Sequence, residues 1–256
     1  MSSFLEQILS GRRRAVEALQ PALAALEERA RNVPTSRDFT GALRRDGISI
    51  ITEIKRRSPS KGELKSDLDP AELARAYERG GAHAISVLTE PDFFDGSGAD
   101  LTSAREATRL PVLWKDFILD RAQIVDACVR GADAILLIVR ILGEDLGDLV
   151  AESRRWGLTA LVEVFDEQDV ERALDGGADV IGVNHRDLET FDEDPTATAR
   201  LRPLIPDEVV VVGESGISER SDVQALEAIG VDAILVGEAL VRSADPAAKI
   251  QELLGR

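Results

Sequence analysis

Ile50-Ile51-Thr52-Glu53-Ile54-Lys55-Arg56-Arg57-Ser58-Pro59-Ser60-Lys61-Gly62 is the stretch that decides the fold. With Ile48 it opens as a dense β-branched run, too apolar for an exposed edge strand. Glu53 and Lys55 stand two residues apart, so both side chains leave one face of that strand. Ser58 to Gly62 then form a breaker-rich loop. Opposite charges on one face of an apolar strand have two readings: a bland surface pair, or a strand end that opens into a functional cleft. Buried charge is costly unless it is paired or used, and the apolar neighbours favour the cleft.

Outward from this stretch the chain alternates. Apolar, β-rich runs recur at 48–55, 83–88, 111–115, 134–139, 159–164, 180–183, 209–213 and 233–237. Between them lie amphipathic stretches near 70–80, 98–109, 120–130, 144–156, 166–176, 194–202 and 218–229, and a last one near 245–254. Eight such units predict a parallel sheet covered by helices, and their length suits a closed (β/α)8 TIM barrel. A doubly wound open sheet is the alternative. No G-x-G-x-x-G follows the first strand, which weighs against its dinucleotide-binding form.

Before the first strand, Leu5, Ile8, Leu9, Val16, Leu19, Leu23 and Leu26 recur at helical spacing over 1–31. Pro21 is expected to kink or split that helix. Asp38 to Asp46 reads as a short second helix with Gly47 as its stop. Residues 1–256 are therefore expected to form a single barrel domain, 1–47 being an N-terminal helical extension.

A pattern repeats within the barrel: Gly81-Ala82-His83-Ala84-Ile85, Gly131-Ala132-Asp133-Ala134-Ile135, Gly177-Ala178-Asp179-Val180-Ile181 and Gly230-Val231-Asp232-Ala233-Ile234. Each reads as a helix-ending Gly, a short turn and a strand start, at strands two, four, six and eight. A period near 50 residues would make quarter-barrel repeats, unless αβ turns simply converge on this chemistry.

Composition narrows the function. The net charge of −16 argues against nucleic-acid binding; it reads as solubility or as adaptation to high salt. The longest apolar runs are strand-sized, and the first residues carry no signal-peptide pattern, so no membrane partner and a cytoplasmic protein are expected. The expected state is a monomer. One cysteine, Cys128, and two histidines, His83 and His185, leave little for a disulfide framework or a zinc site.

Chemistry in this fold belongs at the C-terminal ends of the strands. Glu53 and Lys55 end strand one, Lys115 strand three, Glu163 strand five, Asn184 strand six and Glu214 strand seven. Only five of the 31 cations are lysine, yet two of those five stand at strand ends. Lysine can give up a proton when desolvated and arginine cannot. Arg186 reads as a structural partner of Asp187 or a neighbouring carboxylate. His83, at a strand start, and Cys128, on a helix, read as structural, and His185 points away from the mouth. Gly213-Glu214-Ser215-Gly216-Ile217 and Val236-Gly237-Glu238 are glycine-bearing turns after consecutive strands, which suits a phosphate cradle of backbone N–H groups.

As an ordered set these pieces resemble the indole-3-glycerol-phosphate synthase family of tryptophan biosynthesis. The matching segments are Glu53-Ile-Lys55-Arg-Arg-Ser58-Pro59-Ser60, Ser86-Val-Leu88-Thr-Glu90 with Phe93-Phe94, Lys115-Asp116-Phe117, Leu161-Val-Glu163-Val, Asn184 with Arg186-Asp187-Leu188, Glu214-Ser215-Gly216 and Val236-Gly237. The resemblance covers most of the chain, extension included. It implies a carboxy-lyase that closes a ring on 1-(2-carboxyphenylamino)-1-deoxyribulose 5-phosphate, with loss of CO2 and water and no cofactor or metal.

By that resemblance Lys115 is the general acid of ring closure. Lys55 holds the substrate's anionic end and is a candidate acid in dehydration, and Glu163 is base or cation stabiliser. Glu53, Asn184 and Glu214 orient these groups. Ser58, Arg186 and Ser215 bind substrate, Gly216, Gly237 and Glu238 shape the phosphate cradle, and Ser86, Leu88, Phe94 and Phe117 line an anthranilate pocket. Trp114, Phe165, Gly213 and His185 depart from the family's familiar residues, which bears on affinity and pH optimum. Two rivals are a phosphoribosylanthranilate isomerase-like barrel, which does not call for two lysines, and a non-catalytic phosphate-binding barrel, against which the intact Glu53, Lys55, Lys115 and Glu163 argue.

Overall fold

A computed structural model describes residues 3–256. The extension comes first. Helix α1 (Phe4–Leu19) starts in a capping box between Ser3 and Glu6. Pro21 splits the expected long helix: a short 3₁₀ turn over Gln20–Ala22 intervenes before α2 (Leu23–Ala30). Helix α3 (Phe39–Leu43) is capped by Asp38, whose side chain accepts the Gly41 N–H. It ends four residues before Gly47, which takes φ +78° and turns the chain into the barrel rather than stopping the helix.

The barrel begins with β1 (Ser49–Ile54), followed by a small hairpin of β2 (Arg57–Ser58) and β3 (Gly62–Glu63) and then α4 (Pro70–Gly80). It continues through β4 (Ala84–Leu88), α5 (Pro91–Phe94), α6 (Gly98–Ala107), β5 (Val112–Lys115), α7 (Arg121–Val129) and β6 (Ala134–Ile138). Next come α8 (Val139–Leu142), α9 (Leu146–Arg155), β7 (Thr159–Val164), α10 (Glu167–Asp175), β8 (Val180–Asn184) and α11 (Ala197–Leu201). The series ends with β9 (Val210–Glu214), α12 (Arg220–Ala228), β10 (Ala233–Val236), α13 (Glu238–Val241) and α14 (Pro246–Leu254).

β1 and β4 to β10 pair in parallel and close, β10 against β1, into an eight-stranded barrel. The open-sheet alternative is thereby excluded. The eight expected strands all form, each within a residue or two of its expected bounds.

Alternation along each strand separates two cores. Ile51, Leu113, Leu136, Leu161, Val180, Val212 and Leu235 point into the barrel. Ile50, Ile54, Val87, Val112, Trp114, Ile135, Val162, Ile181, Val211 and Ile234 pack outward against the helices. The extension serves both ends. Phe39 and Leu43 of α3 close the barrel floor, where Ser49 Oγ donates to the Leu43 carbonyl. Ile8 of α1 joins the same interior cluster, and α1 reaches the opposite, C-terminal end, where Arg12 donates to Asp116.

At the four repeated sites Gly81, Gly131, Gly177 and Gly230 all take left-handed φ, between +78° and +93°. The next residue's N–H returns to the helix just ended, as in Ala82 to Tyr77 and Ala132 to Ala127, both 3.0 Å. Gly157, before β7, makes the same turn at φ +73° without the repeated motif, so this turn is not confined to alternate units.

Candidate active site

Continuing the inward alternation of each strand by one step reaches a polar side chain or a glycine on most strands. Ile51 is followed inward by Glu53 and Lys55, Leu113 by Lys115, Leu161 by Glu163, Val180 by Gly182 and Asn184, Val212 by Glu214, and Leu235 by Gly237. These residues converge on one cavity of about 500 Å³ at the C-terminal mouth. Every site residue expected from the sequence lines it except Ser86, which is fully buried opposite Glu53 in the β1–β4 register, its Oγ without a hydrogen-bond partner.

The floor carries an alternating charge cluster. Glu53 Oε1 lies 2.6 Å from Lys55 Nζ. Lys115 Nζ lies 3.3 Å from Glu214 Oε2 and 3.5 Å from Glu163 Oε2. The three carboxylates are almost wholly buried, with at most 4% exposure. Two glycines leave room for them: a side chain on Gly182 would run into Glu214, and one on Gly237 into Glu53.

Burial opposes the charge on Glu53, Lys115 and Glu214, and the neighbours set how far it succeeds. For Glu53, Lys55 and Lys115 overcome burial and hold the carboxyl below its usual range. For Lys115, Glu214, Glu163 and Glu53 overcome burial and raise the ammonium above its ordinary value. Glu214 is pushed up to about 7, by burial and by repulsion from Glu163 and Glu53 that Lys115 only partly offsets. The resting cluster thus keeps its proton on Lys115, the form a general acid requires.

Around the floor, Asn184 Oδ1 accepts from Ser215 Oγ at 2.7 Å and from the Arg186 N–H at 3.0 Å. Ser215 and Gly216 take consecutive left-handed conformations, φ +67° and +72°. Such a turn gathers backbone N–H groups into an anion-binding concavity. Arg186 donates to Ser60 Oγ at 2.8 Å and pairs with Glu193, so its carboxylate is Glu193; Asp187 goes instead to Arg140 at 3.1 Å. An apolar wall is built from Leu88, Phe94 and Phe117, the last two with ring centroids 6.2 Å apart.

Sequence reasoning missed part of the wall. Leu136 and Ile138 of β6 line it, and their period-two spacing in Ala134-Ile135-Leu136-Leu137-Ile138 was the available signal. Phe191, at φ +63°, and Arg242 also line the cavity, and nothing in their local sequence marks them. Of the four departures, Trp114 and Gly213 sit at outward positions of their strands, and His185, one residue past β8, continues the outward alternation. Only Phe165 belongs to the interior set, where the Arg140 guanidinium lies 4.5 Å from its ring centroid. His83 accepts the Ile50 N–H at the strand-start end, and Cys128 is buried on α7, both away from the cavity.

The family model described as indole-3-glycerol phosphate synthase matches residues 5–253. The chain belongs to the indole-3-glycerol phosphate synthase family. It is 53% identical over 247 residues to indole-3-glycerol phosphate synthase 2 of Streptomyces coelicolor, covering 96% of this chain and 94% of the relative. It is 49% identical to an indole-3-glycerol phosphate synthase of Dehalococcoides mccartyi, covering 91% and 92%. Among solved structures, a tryptophan synthase α-subunit from Pyrococcus furiosus superposes with TM-score 0.63 at 17% identity, over 81% of this chain and 98% of that one. At that identity the likeness concerns the barrel alone.

Proposed function

We propose that this member of the indole-3-glycerol phosphate synthase family carries out the ring closure in the cavity at the C-terminal mouth. The substrate is 1-(2-carboxyphenylamino)-1-deoxyribulose 5-phosphate, and the products are indole-3-glycerol phosphate, CO2 and water. The observation that carries the reading is the Lys115 ammonium held between Glu163 and Glu214 on the cavity floor, facing the Glu53–Lys55 pair.

In this reading the aromatic carbon that bears the carboxylate attacks the ribulose carbonyl, and Lys115 protonates the oxygen as its charge develops. Loss of CO2 returns the bonding electrons to the ring; the new hydroxyl then leaves as water with a proton from the acid, and the neighbouring nitrogen-bearing carbon gives up a proton to the base, which completes the indole. Lys55 holds the substrate's anionic end and serves as acid in dehydration. Glu163, whose two oxygens accept no protein hydrogen bond, is free to take a proton or to stabilise the cationic intermediate. Glu53, Asn184 and Glu214 hold the lysines and Ser215 in place.

The phosphate lies at Ser215, Gly216 and Gly237, with Ser58, Arg186 and Glu238 around it. The anthranilate ring packs on Leu88, Phe94 and Phe117, with Ser86 behind them. No cofactor or metal takes part. Extension and barrel act as one domain, in a cytoplasmic monomer. No described helix is long and apolar enough to cross a membrane.

Mixing the protein with the carboxyphenylamino substrate while following indole fluorescence tests the reading. A rise proportional to enzyme supports it; a folded protein that gives no indole signal refutes it.

A further inference from the structure

His185 follows Asn184 at the end of β8, so its side chain leaves on the face opposite the cavity. The imidazole is buried, with Nδ1 3.1 Å from the Ser215 carbonyl oxygen and Nε2 2.6 Å from Thr198 Oγ1. A carbonyl only accepts, so Nδ1 carries the hydrogen and Nε2 accepts from the fully buried Thr198 hydroxyl. Burial holds the ring below its ordinary pKa, in keeping with that neutral tautomer. The His185 N–H in turn donates to the Glu214 carbonyl at 3.1 Å, so side chain and backbone grip the same turn.

The Ser215 carbonyl shares its peptide plane with the Gly216 N–H. In a trans peptide these two groups point in opposite directions. Fixing the carbonyl on His185, away from the cavity, therefore turns the Gly216 N–H towards the cavity that both residues line. Among the described residues that N–H has no hydrogen-bond partner in the protein. Ser215 holds a left-handed φ that a residue with a Cβ adopts reluctantly, so the turn needs outside support. His185 and Asn184 supply it, one from behind the strand and one from the cavity side.

We propose that His185 is the positioning residue of the anion cradle: it holds the Ser215 carbonyl so that the Gly216 amide faces the substrate's phosphate. The proposal rests on the reading of Ser215, Gly216 and Gly237 as the phosphate site. Its effect falls on binding of the phosphorylated substrate rather than on the proton transfers at Lys115.

The test measures kcat, KM and competitive inhibition by inorganic phosphate for the wild type, His185→Leu, His185→Asn and Thr198→Val. His185→Leu is expected to raise KM and the phosphate inhibition constant by about tenfold, as for one lost hydrogen bond, with a much smaller change in kcat. Thr198→Val, which frees the tautomer, is expected to move both in the same direction by less. His185→Asn, whose amide can still donate to the Ser215 carbonyl, is expected to recover most of the loss.

A wild type that phosphate does not inhibit overturns the cradle reading itself. A wild type that is inhibited, with His185→Leu inhibited equally and unchanged in KM, overturns the role of His185 and leaves the cradle standing. A fall in kcat without a change in KM also overturns it. Thermal melting checks each fold, and should His185→Leu fail to fold, Thr198→Val and His185→Asn decide by the same criteria.

Discussion

Lys115 Nζ stands 3.5 Å from Glu163 Oε2, yet neither oxygen of that buried carboxylate accepts a hydrogen bond from the protein. A buried charge left this incompletely satisfied destabilises the fold. Glu214 shares the same ammonium and likewise has one oxygen without a hydrogen-bond partner. On the proposed reading, substrate completes the cavity floor, and the free protein carries the floor at the expense of stability.

Glu163→Gln is expected to show that exchange directly. The amide keeps the shape and removes the charge, so the melting temperature should hold or rise by about 1–4 °C, as for up to roughly 1 kcal/mol. Over the same substitution kcat should fall by about 10²–10⁴-fold. Calorimetry beside indole-fluorescence kinetics checks both. A variant that loses stability and keeps its kcat would show that Glu163 is structural.

Arg12 connects the extension to the mouth. It donates to Asp116 Oδ2 at 3.2 Å and lies 4.0 Å from Glu90 Oε1, both carboxylates being buried. Burial pushes Asp116 up to about 6 even with Arg12 beside it. Arg12→Met is expected to cost about 2–4 kcal/mol, since both carboxylates lose this partner. Adding Asp116→Asn to that variant should restore part of the loss. Urea unfolding of the two single variants and the double variant gives the coupling, and strictly additive losses would show that the pair does not interact.

The barrel was legible because its signals are local. Each strand shows in the sequence as an apolar, β-rich run, and each strand-end charge follows from period two, as Glu53 and Lys55 show. What stayed hidden depends on distance along the chain or on very short elements. Arg12 and Asp116 are 104 residues apart, and nothing in either neighbourhood names the other. Helices α5, α8 and α13 have four residues each, too few for a helical period to appear. Arg186 pairs with a carboxylate as its surroundings in sequence suggest, but of the candidates Asp187 is drawn off by Arg140 and Glu193 is the partner.

His83 makes stability depend on pH. Burial, with Arg45 and Arg256 nearby, lowers its pKa to about 4. The unfolded chain titrates near the ordinary value of about 6.5. Between those values the unfolded state binds more protons, so stability rises with pH. The contribution of His83 is complete above about pH 6.5 and is lost as pH falls towards 4. Urea unfolding between pH 7 and 4.5 should show the wild type losing more stability than His83→Asn, whose Oδ1 can keep the Ile50 hydrogen bond. Parallel losses would remove His83 from the account.

The net charge of −16 predicts a salt effect. Self-repulsion between unpaired carboxylates weakens the fold at low ionic strength, and a Debye length near 10 Å at 0.1 M falls to about 3 Å at 1 M. Melting temperatures are expected to climb across a series of NaCl additions. A flat or falling series would mean that the acidity is ordinary surface, already offset by ion pairs such as Arg140 with Asp166 and Arg154 with Asp179.

Lys115→Arg separates charge from proton transfer. Guanidinium keeps the positive charge that Glu163, Glu214 and Glu53 hold in place, but it is intrinsically the weaker proton donor of the two groups. If Lys115 only attracts the substrate, the variant keeps most of its kcat. If Lys115 gives its proton to the forming alcohol, kcat falls by about 10²–10⁴-fold while KM changes far less. Guanidinium is also the larger group, and the Lys115 side chain is only 14% exposed, so misfit could imitate the loss. Lys115→Met tests this beside it: it has neither charge nor proton and less bulk, and a general acid requires it to be at least as inactive as the arginine variant. Lys249→Arg is the control, because Lys249 pairs with Glu252 at 2.6 Å on α14, outside the cavity lining. Near-normal kcat in Lys115→Arg would move the acid role to Lys55, the other lysine paired with a buried glutamate on the cavity floor.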